Sequence, residues 1–343
     1  MESQRTVAVF GAYGHTGRFV VAELRSRGLT PVLVGRDADK LHAFAAEHPG
    51  LPVRQASADD PAALDAALAG AAAVINAAGP FAHTAGPVIE AALRAEIPYV
   101  DVAAEVEAVV DIFTQYGERA RTAGALVVPS VAFFGGLGDL LATAALGAAD
   151  KAEQVNIAYA LSSWHPTDGT RASTVVSRGR RDSRRLVYRD GALALVTDSA
   201  PESTWSFPDP IGSRDVVGEF TTADSVTIPR HLGAGEINTY MTVDAVKDVL
   251  APDANSPQPV DELGRSEQTF LVDVTVRADG EQRRVVARGQ DIYAISAPLA
   301  VEAVERILAG QVKAAGVVSV GEAFDAREFL AALAPELQVE YGG

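Results

Sequence analysis

Six short apolar runs alternate with helical patterns between residue 6 and about residue 129 of this 343-residue chain. Each run has the length of a buried strand, and each is followed by a turn or by apolar residues at helical spacing. Such alternation is typical of strand–helix units that build a parallel sheet covered on both faces. It predicts a Rossmann-type doubly wound α/β domain with strands at residues 6–10, 31–34, 53–56, 73–76, 99–102 and 125–129.

The pattern changes after about residue 150, where longer runs alternate between apolar and polar residues. These runs predict an antiparallel sheet with strands at residues 154–161, 185–188, 192–196, 239–243 and 268–277. Residues 198–212 and 251–258 are rich in Pro, Gly, Ser and Asp and are predicted loops. From residue 297 the pattern is helical and ends at Gly310.

The chain is also longer than one hydrophobic core usually supports. We therefore predict a dinucleotide-binding Rossmann domain over residues 1–150 and an inserted α+β domain, built on the antiparallel sheet, over residues 151–293. Residues 294–343 are predicted to form a helical segment that returns to the Rossmann domain.

Charge and composition exclude several classes of function. The formal net charge of -16 disfavours nucleic acid and anionic membranes as partners, so a small-molecule substrate is expected. The absence of cysteine excludes disulfides, thiolate metal sites and cysteine nucleophiles. The polar residues 1–5 lead directly into a strand without a signal-peptide pattern, and no apolar run reaches membrane-spanning length. We therefore expect a cytoplasmic protein.

A glycine-rich loop joins the first predicted strand to the first predicted helix. Gly11 allows the tight turn, Gly14 lets the backbone approach a pyrophosphate, and Gly17 permits close packing of helix and strand. The start of the helix supplies unpaired N–H groups to the anion. A purely structural turn is the alternative, but the position after the first strand favours dinucleotide binding. The predicted cofactor-binding residues here are Gly11, Tyr13, Gly14, His15, Thr16 and Gly17.

The second predicted strand ends at Arg36 and Asp37, about twenty residues after the glycine loop. An arginine at this point accommodates the 2′-phosphate of NADP, whereas an acidic residue binds the ribose hydroxyl of NAD. Asp37 is equally well placed to cap the helix that follows. The sequence therefore favours NADP, with NAD as the less favoured alternative.

Four segments together resemble the saccharopine-dehydrogenase-like oxidoreductases, including their trans-acting enoyl reductase branch. The segments are residues 11–17 with 35–36, residues 74–81, residues 99–105 and residues 169–173. The likeness is looser at residues 227–230, and residues 103–104 and 132–136 depart from the family pattern. The resemblance implies that backbone after the fourth strand lies against the nicotinamide ribose, at Ala78, Gly79, Pro80 and Phe81.

Three side chains are candidates for a catalytic role. His83 follows the segment that the resemblance places beside the nicotinamide, although a histidine on a surface loop is the simpler interpretation. Glu105 ends the fifth strand, at the sheet edge where α/β proteins bind ligands, but it is equally suited to capping the helix over residues 106–116. His165 lies in a polar loop beside Trp164, where a substrate contact and a surface role both remain open.

Other features are weaker signals. The six histidines show no paired spacing, so no metal site is expected. A run of arginines could meet a phosphate, a carboxylated substrate or an acyl carrier, but a solvated helix or turn is the simpler account. The run comprises Arg178, Arg180, Arg181, Arg184, Arg185 and Arg189.

These observations and the resemblance lead to one expected function and one alternative. We expect an NADPH-dependent oxidoreductase that reduces a C=N or activated C=C bond of a small or carrier-bound substrate. Neither Tyr99 nor Tyr116 is followed four residues later by the lysine that short-chain dehydrogenases use, so ketone reduction is less favoured. The alternative is an NADP-binding sensor or scaffold without catalysis. A homodimer through residues 151–293 is also expected, because a sheet face rich in Val and Ile would otherwise be uncovered.

Overall fold

The computed structural model describes residues 5–251, 255–312 and 314–342. The chain divides into two compact units. The first contains Met1–Ala132 and Ser296–Phe324, and the second contains Phe133–Ile295 and Asp325–Gly343. Most of the polar N-terminal leader and part of the predicted loop at 251–258 lie outside the described residues.

The first unit is built on a parallel sheet. Its strands are β1 (Thr6–Phe10), β2 (Thr30–Gly35), β3 (Val53–Gln55), β4 (Ala73–Asn76), β5 (Tyr99–Asp101), β6 (Leu126–Val128) and β15 (Gly316–Val317). Its helices are α1 (His15–Ser26), α2 (Ala38–Ala46), α3 (Pro61–Leu68), α4 (Phe81–Arg94), α5 (Val106–Thr122), α10 (Ser296–Leu308) and α11 (Val320–Ala323). The strand order is β15-β6-β5-β4-β1-β2-β3, so the direction of winding reverses between β1 and β4. That reversal is where an open α/β sheet forms its ligand crevice.

The predicted Rossmann-type fold is confirmed in this unit. The six predicted strands lie within one residue of the observed ends, because each is a short apolar run bounded by turn residues. The two-residue strand β15 was not predicted, since so short a segment carries no periodic signal. Helix α10 packs against α1, and Arg27 of the loop after α1 joins Glu302 and Glu305 at 2.5 and 2.8 Å.

The second unit is built on a mixed nine-stranded sheet. Its strands are β7 (Gln154–Leu161), β8 (Arg185–Arg189), β9 (Ala192–Val196), β10 (Glu202–Ser206), β11 (Ser213–Gly218), β12 (Glu236–Thr242), β13 (Thr269–Ala278), β14 (Glu281–Gln290) and β16 (Leu337–Gly342). Its helices are α6 (Gly138–Leu146), α7 (Asp168–Arg180), α8 (Asp224–Thr227), α9 (Val243–Leu250) and α12 (Ala326–Ala332), with a π-helical turn at Phe133–Leu137 and a 3-10 turn at Ile228–Arg230.

The prediction of a purely antiparallel second sheet is wrong at one pairing. The main path of the sheet runs β10-β11-β12-β7-β13-β14-β16, and β12 pairs with β7 in parallel. The long connection between them, which contains α7 and two strand pairs, lets the chain return in the same direction.

Several strands of the second unit escaped prediction. Strand β10 lies inside the predicted loop 198–212, and β11 follows it directly. Strand β14 contains four polar or charged residues in succession before its first valine, which hides the alternation. Its turn signal is present, because Asp279 and Gly280 both have positive φ, as a two-residue hairpin turn requires.

The two faces of the second sheet differ in chemistry. Helix α6 packs on β13 and β14, so it covers the Val- and Ile-rich face that we expected to be uncovered. Polar side chains lie on the other face, where Asn238 donates to Asn156 at 3.0 Å and Asn156 donates to Thr275 at 3.2 Å. Trp205 also donates to buried Asp273 there, at 2.8 Å. The reason given for a homodimer is therefore wrong, and the homodimer itself stays a prediction.

The division into units differs from the predicted boundaries. Residues 133–150 belong to the second unit, because α6 packs on its sheet. The last segment also divides: α10 belongs to the first unit, whereas β16 pairs with β14 in the second. Among the residues that the structure describes, no helix has the length and apolar character needed to cross a membrane.

Candidate functional site

The glycine loop brings three backbone segments close together. Gly11 has a φ of +88°, and a Cβ atom there would lie 2.8 Å from the Cβ of Ala78. A Cβ atom on Gly17 would lie 2.1 Å from the carbonyl oxygen of Gly11. Only glycine fits at either position, so α1 begins directly behind the turn. Gly14, at the cap position of α1, provides no capping side chain, and amides at the start of a helix can bind a pyrophosphate.

Tyr13 fixes the corner between β2 and α2. Its ring lies against Gly35, where a Cβ atom would be only 2.4 Å from a ring carbon. The Tyr13 hydroxyl accepts a hydrogen bond from the backbone N–H of Asp37 at 3.3 Å. The Asp37 side chain caps α2 by accepting from the N–H of Lys40 at 3.0 Å, while Arg36 is exposed. Asp37 thus takes the capping role that the sequence left open.

The backbone after β4 is held by two side chains. The Oδ1 atom of Asn76 accepts from the N–H of Ala78 at 3.0 Å, and the hydroxyl of Thr84 donates to the Ala78 carbonyl at 2.6 Å. Asn76 is itself buried and donates to the Tyr99 hydroxyl at 3.1 Å. The peptide groups on both sides of Ala78 are therefore fixed, next to Gly11 of the glycine loop.

Buried Asp101 continues this network, and sequence reasoning missed it. Its carboxylate accepts from the Tyr99 hydroxyl at 2.8 Å and from the N–H groups of Ala103 and Ser130 at 3.0 and 2.7 Å. Burial raises the pKa of Asp101 from 3.8 to about 6, although these hydrogen bonds oppose the rise. Asn76 and Asp101 both occupy the last position of a buried strand, which is the sequence signal that could have identified them.

Glu105 caps a helix, but not the one that follows it. One carboxylate oxygen accepts from the N–H of Phe81 at 2.7 Å, and the other accepts from the N–H of Ala82 at 3.0 Å. Both amides belong to the first turn of α4, whereas α5 has no side-chain cap at Glu105. The side chain is buried, and it joins the end of the β5 segment to the start of α4.

His83 lies within α4 and not in a loop, since the helix begins at Phe81. It is exposed, and its backbone N–H donates to the carbonyl of Pro80 at 3.1 Å. In the first unit Glu105 holds the amide of Phe81, and His83 lies two residues further along the same helix. Among the described residues, no carboxylate is hydrogen-bonded to the His83 imidazole to orient it.

His165 lies in the second unit, just before α7. The Thr167 hydroxyl caps α7 by accepting from the N–H of Thr170 at 3.1 Å, and the Thr170 hydroxyl bonds to the Tyr293 hydroxyl at 3.0 Å. Trp164 donates to the same Tyr293 oxygen at 3.3 Å. His165 is half-buried, and its Nδ1 atom is buried without a hydrogen bond to any described residue. That His83, Glu105 and His165 line one cleft stays a prediction.

Residues 132–136, which depart from the family pattern, contact residues 227–230, which match it loosely. Residues 132–136 enter the π-helical turn, in which Gly135 has a φ of +96°. The Thr227 hydroxyl donates to the Gly135 carbonyl at 3.0 Å. Nearby, Asp224 accepts from the Tyr159 hydroxyl at 2.8 Å, and burial raises the pKa of Asp224 to about 6. These contacts within the second unit were not predicted.

The arginine run does not form one continuous basic patch. Arg185 and Arg189 both pair with Glu219, and Arg185 also pairs with Asp198 at 3.0 Å. Arg178 is exposed on α7, a helix with no buried residue. In the part of the chain that the structure describes, no group of three or more His, Asp or Glu residues is arranged to hold a metal ion.

Comparison with known proteins finds a match to most of the first unit. Residues 7–128 match the family described as the saccharopine dehydrogenase NADP binding domain. The resemblance and the preference for NADP over NAD are therefore confirmed for this segment. This segment is similar to the NADP-binding domain of saccharopine dehydrogenases.

Curated relatives match over part of their length. A saccharopine dehydrogenase-like oxidoreductase of Homo sapiens is 29% identical over 145 residues, which cover 37% of this chain and 34% of the relative. A probable mitochondrial saccharopine dehydrogenase-like oxidoreductase of Arabidopsis thaliana is 28% identical over 142 residues, which cover 37% of this chain and 31% of the relative. The matched segment thus spans about a third of the length of these curated relatives.

A solved structure of a known enzyme aligns with nearly the whole chain. Saccharopine dehydrogenase (L-Glu forming) from Saccharomyces cerevisiae, in its apo form, aligns over 99% of this chain and 100% of its own chain, with a TM-score of 0.66. The sequences are 13% identical, so the comparison establishes a shared fold. It confirms the expected combination of a Rossmann-type domain with a second α+β domain.

Proposed function

We propose that this protein is an NADPH-dependent oxidoreductase that reduces a C=N or activated C=C bond of a small or carrier-bound substrate. The observation that carries the proposal is the contact between the glycine loop and the fixed backbone after β4. Gly11 and Ala78 approach so closely that only a glycine fits, which brings the pyrophosphate-binding loop beside the segment proposed to hold the nicotinamide ribose.

In this proposal each cofactor contact falls to a defined part of the first unit. The first-turn amides of α1 bind the pyrophosphate, with Gly14 allowing the close approach. Arg36 meets the 2′-phosphate, because it is exposed at the end of β2 while the neighbouring Asp37 carboxylate caps α2. Tyr13 supports this arrangement by holding the backbone of Asp37.

Bound NADPH would supply the hydride, so the protein must position the substrate and supply a proton. Among the candidates, His83 is exposed at the start of α4 and His165 is half-buried before α7. An imidazole can donate a proton through a ring N–H, which is the role of a general acid. Glu105 was the third candidate, but both of its carboxylate oxygens accept backbone hydrogen bonds.

The proposal is tested with a panel of substrates. The purified protein is mixed with NADPH and a set of cyclic imines, α,β-unsaturated thioesters and simple ketones, and the loss of NADPH absorbance is followed. We expect oxidation with an imine or an enoyl compound and little with ketones. Tight NADPH binding without hydride exchange on any compound would instead support a sensor or scaffold. A cytoplasmic location and a homodimer are parts of the same proposal, to be tested by fractionation and by light scattering.

A further inference from the structure

We infer that Glu105 is a positioning residue, which clamps the start of α4 so that the backbone from Ala78 to Pro80 holds the nicotinamide half of NADP. This inference rests on the proposed function only in giving that backbone a role at the cofactor. It differs from the catalytic role first considered for Glu105, and it predicts the opposite pattern of kinetic effects.

The start of α4 takes its side-chain acceptor from elsewhere in the chain. The first amides of a helix have no partner within the helix, and Pro80, at the cap position of α4, provides no capping side chain. Glu105 accepts from two of these amides, at Phe81 and Ala82. A negative charge at a helix N-terminus is stabilised further by the helix dipole. Both oxygens are therefore used as acceptors, and adding a proton to either would place a hydroxyl donor against an N–H donor.

The backbone from Ala78 to Pro80, which Glu105 holds at the start of α4, is also fixed at its other end. Asn76 and Thr84 hold the two peptide groups of Ala78, and Asn76 is in turn held by Tyr99. Ala78 contacts Gly11, so a shift of this backbone would also disturb the glycine loop. The segment thus has one anchor on β4 and a second on the side chain of Glu105.

The burial of Glu105 makes its hydrogen bonds important. Glu105 is 5% exposed, and a buried carboxylate keeps its charge at low cost only when its hydrogen bonds are made. Removing the carboxylate leaves two amides of α4 without acceptors in an enclosed place. We therefore expect the first turn of α4 to loosen and the backbone before it to lose its fixed geometry.

The test compares Glu105→Gln and Glu105→Ala with a control, Glu118→Gln. Glu118 lies on the exposed side of the same helix, α5, and pairs only with Arg121 of that helix among the contacts of the described residues. NADPH affinity is measured by fluorescence titration, which needs no substrate. Hydrogen exchange at the amides of Phe81 and Ala82 is measured on the same proteins.

We expect both Glu105 variants to weaken NADPH binding by roughly tenfold or more, about 1.4 kcal/mol. We also expect Glu105→Ala to lose protection of both amides and Glu105→Gln to lose it at the amide that then faces the NH₂ group, whereas the control behaves as the native protein. Protected Phe81 and Ala82 amides are expected in the native protein itself, which keeps the test decisive if a variant fails to fold.

Two results would overturn the inference. Native-like NADPH affinity together with a loss of turnover of about 10² in Glu105→Gln would make Glu105 the proton donor. Native-like affinity and native-like exchange in both variants would show that the clamp is dispensable. Failure of every substrate in the turnover panel would count against the proposed function alone, because the titration and the exchange experiment still decide the role of Glu105.

Discussion

Replacing Asp101 by asparagine removes a carboxylate that is fully buried at the carboxyl end of β5. Burial raises its pKa from 3.8 to about 6 in the folded protein, despite hydrogen bonds from Tyr99, Ala103 and Ser130. An asparagine keeps an oxygen for the two backbone amides and places an NH₂ group beside the Tyr99 hydroxyl. The substitution therefore removes the titration while retaining the shape of the side chain.

The sign and size of the effect follow from linkage. Because the folded-state pKa is raised, the folded protein holds this proton more tightly than the unfolded chain. The stabilisation from Asp101 is fully present below about pH 4 and is lost as the pH rises through about 6. The ordinary and the folded-state pKa of Asp101 differ by about two units, which corresponds to about 3 kcal/mol of stability. The free energy of unfolding of Asp101→Asn, relative to the native protein, should therefore increase by about 3 kcal/mol between pH 4 and pH 7.

The assay is denaturant unfolding at several pH values between about 4 and 7, followed by circular dichroism. Tryptophan fluorescence is unsuitable, because Trp164 and Trp205 both lie in the second unit. Asp224 also has a pKa raised to about 6, but it is present in both proteins and cancels in the difference. The changed hydrogen bond to Tyr99 adds an offset to the difference in unfolding free energy that is the same at every pH. If that difference shows no change with pH beyond this offset, the raised pKa of Asp101 is contradicted.

Two further predictions follow from the candidate site and the second sheet. Replacing His83 or His165 by glutamine should lower turnover by roughly 10² at whichever residue donates the proton and leave NADPH affinity within a few-fold, and native turnover in both variants would mean that a held water protonates the substrate. Light scattering at micromolar concentration should give the mass of a dimer, and a monomer would contradict the expected homodimer.

Local spacing was enough to predict the strand, glycine loop and helix at the start of the first unit. The glycines of the loop, the strand before it and the helix behind it lie within about twenty residues, so their geometry is written in adjacent sequence. The position of Asp37 alone also indicated its two possible roles, which are to bind the ribose hydroxyl or to cap the helix that follows. The structure resolves them in favour of the helix cap, through the hydrogen bond from Lys40.

The remaining site depends on contacts between distant residues, which periodicity cannot reveal. Glu105 was identified as a candidate from its place after a strand, but its partner helix begins 24 residues earlier in the chain. Asp101 is fixed by Ser130, 29 residues later, at the end of the neighbouring strand. Such pairings require the order of strands in the sheet, which the spacing of apolar residues does not contain.

The second unit was harder to predict for a different reason. One face of its sheet carries polar pairs, Arg284 with Asp273 and Asn238 with Asn156, beside a buried apolar cluster. Strands that carry such residues resemble loops when judged by hydrophobicity, which is why β14 was missed. The closing strand β16 joins this sheet from the far end of the sequence, beyond a helix of the other unit.

The proposed role of Arg36 is tested most directly by a parallel titration of NADPH and NADH against the native protein and against Arg36→Asp. The native protein should bind NADPH at least roughly tenfold more tightly than NADH, about 1.4 kcal/mol, because the exposed Arg36 meets the 2′-phosphate. We expect the reverse order for Arg36→Asp, since a carboxylate there repels the phosphate and accepts from the ribose hydroxyl. Equal affinities of the native protein for the two cofactors would contradict that role and would mean that Asp37 leaves its helix cap to meet the ribose.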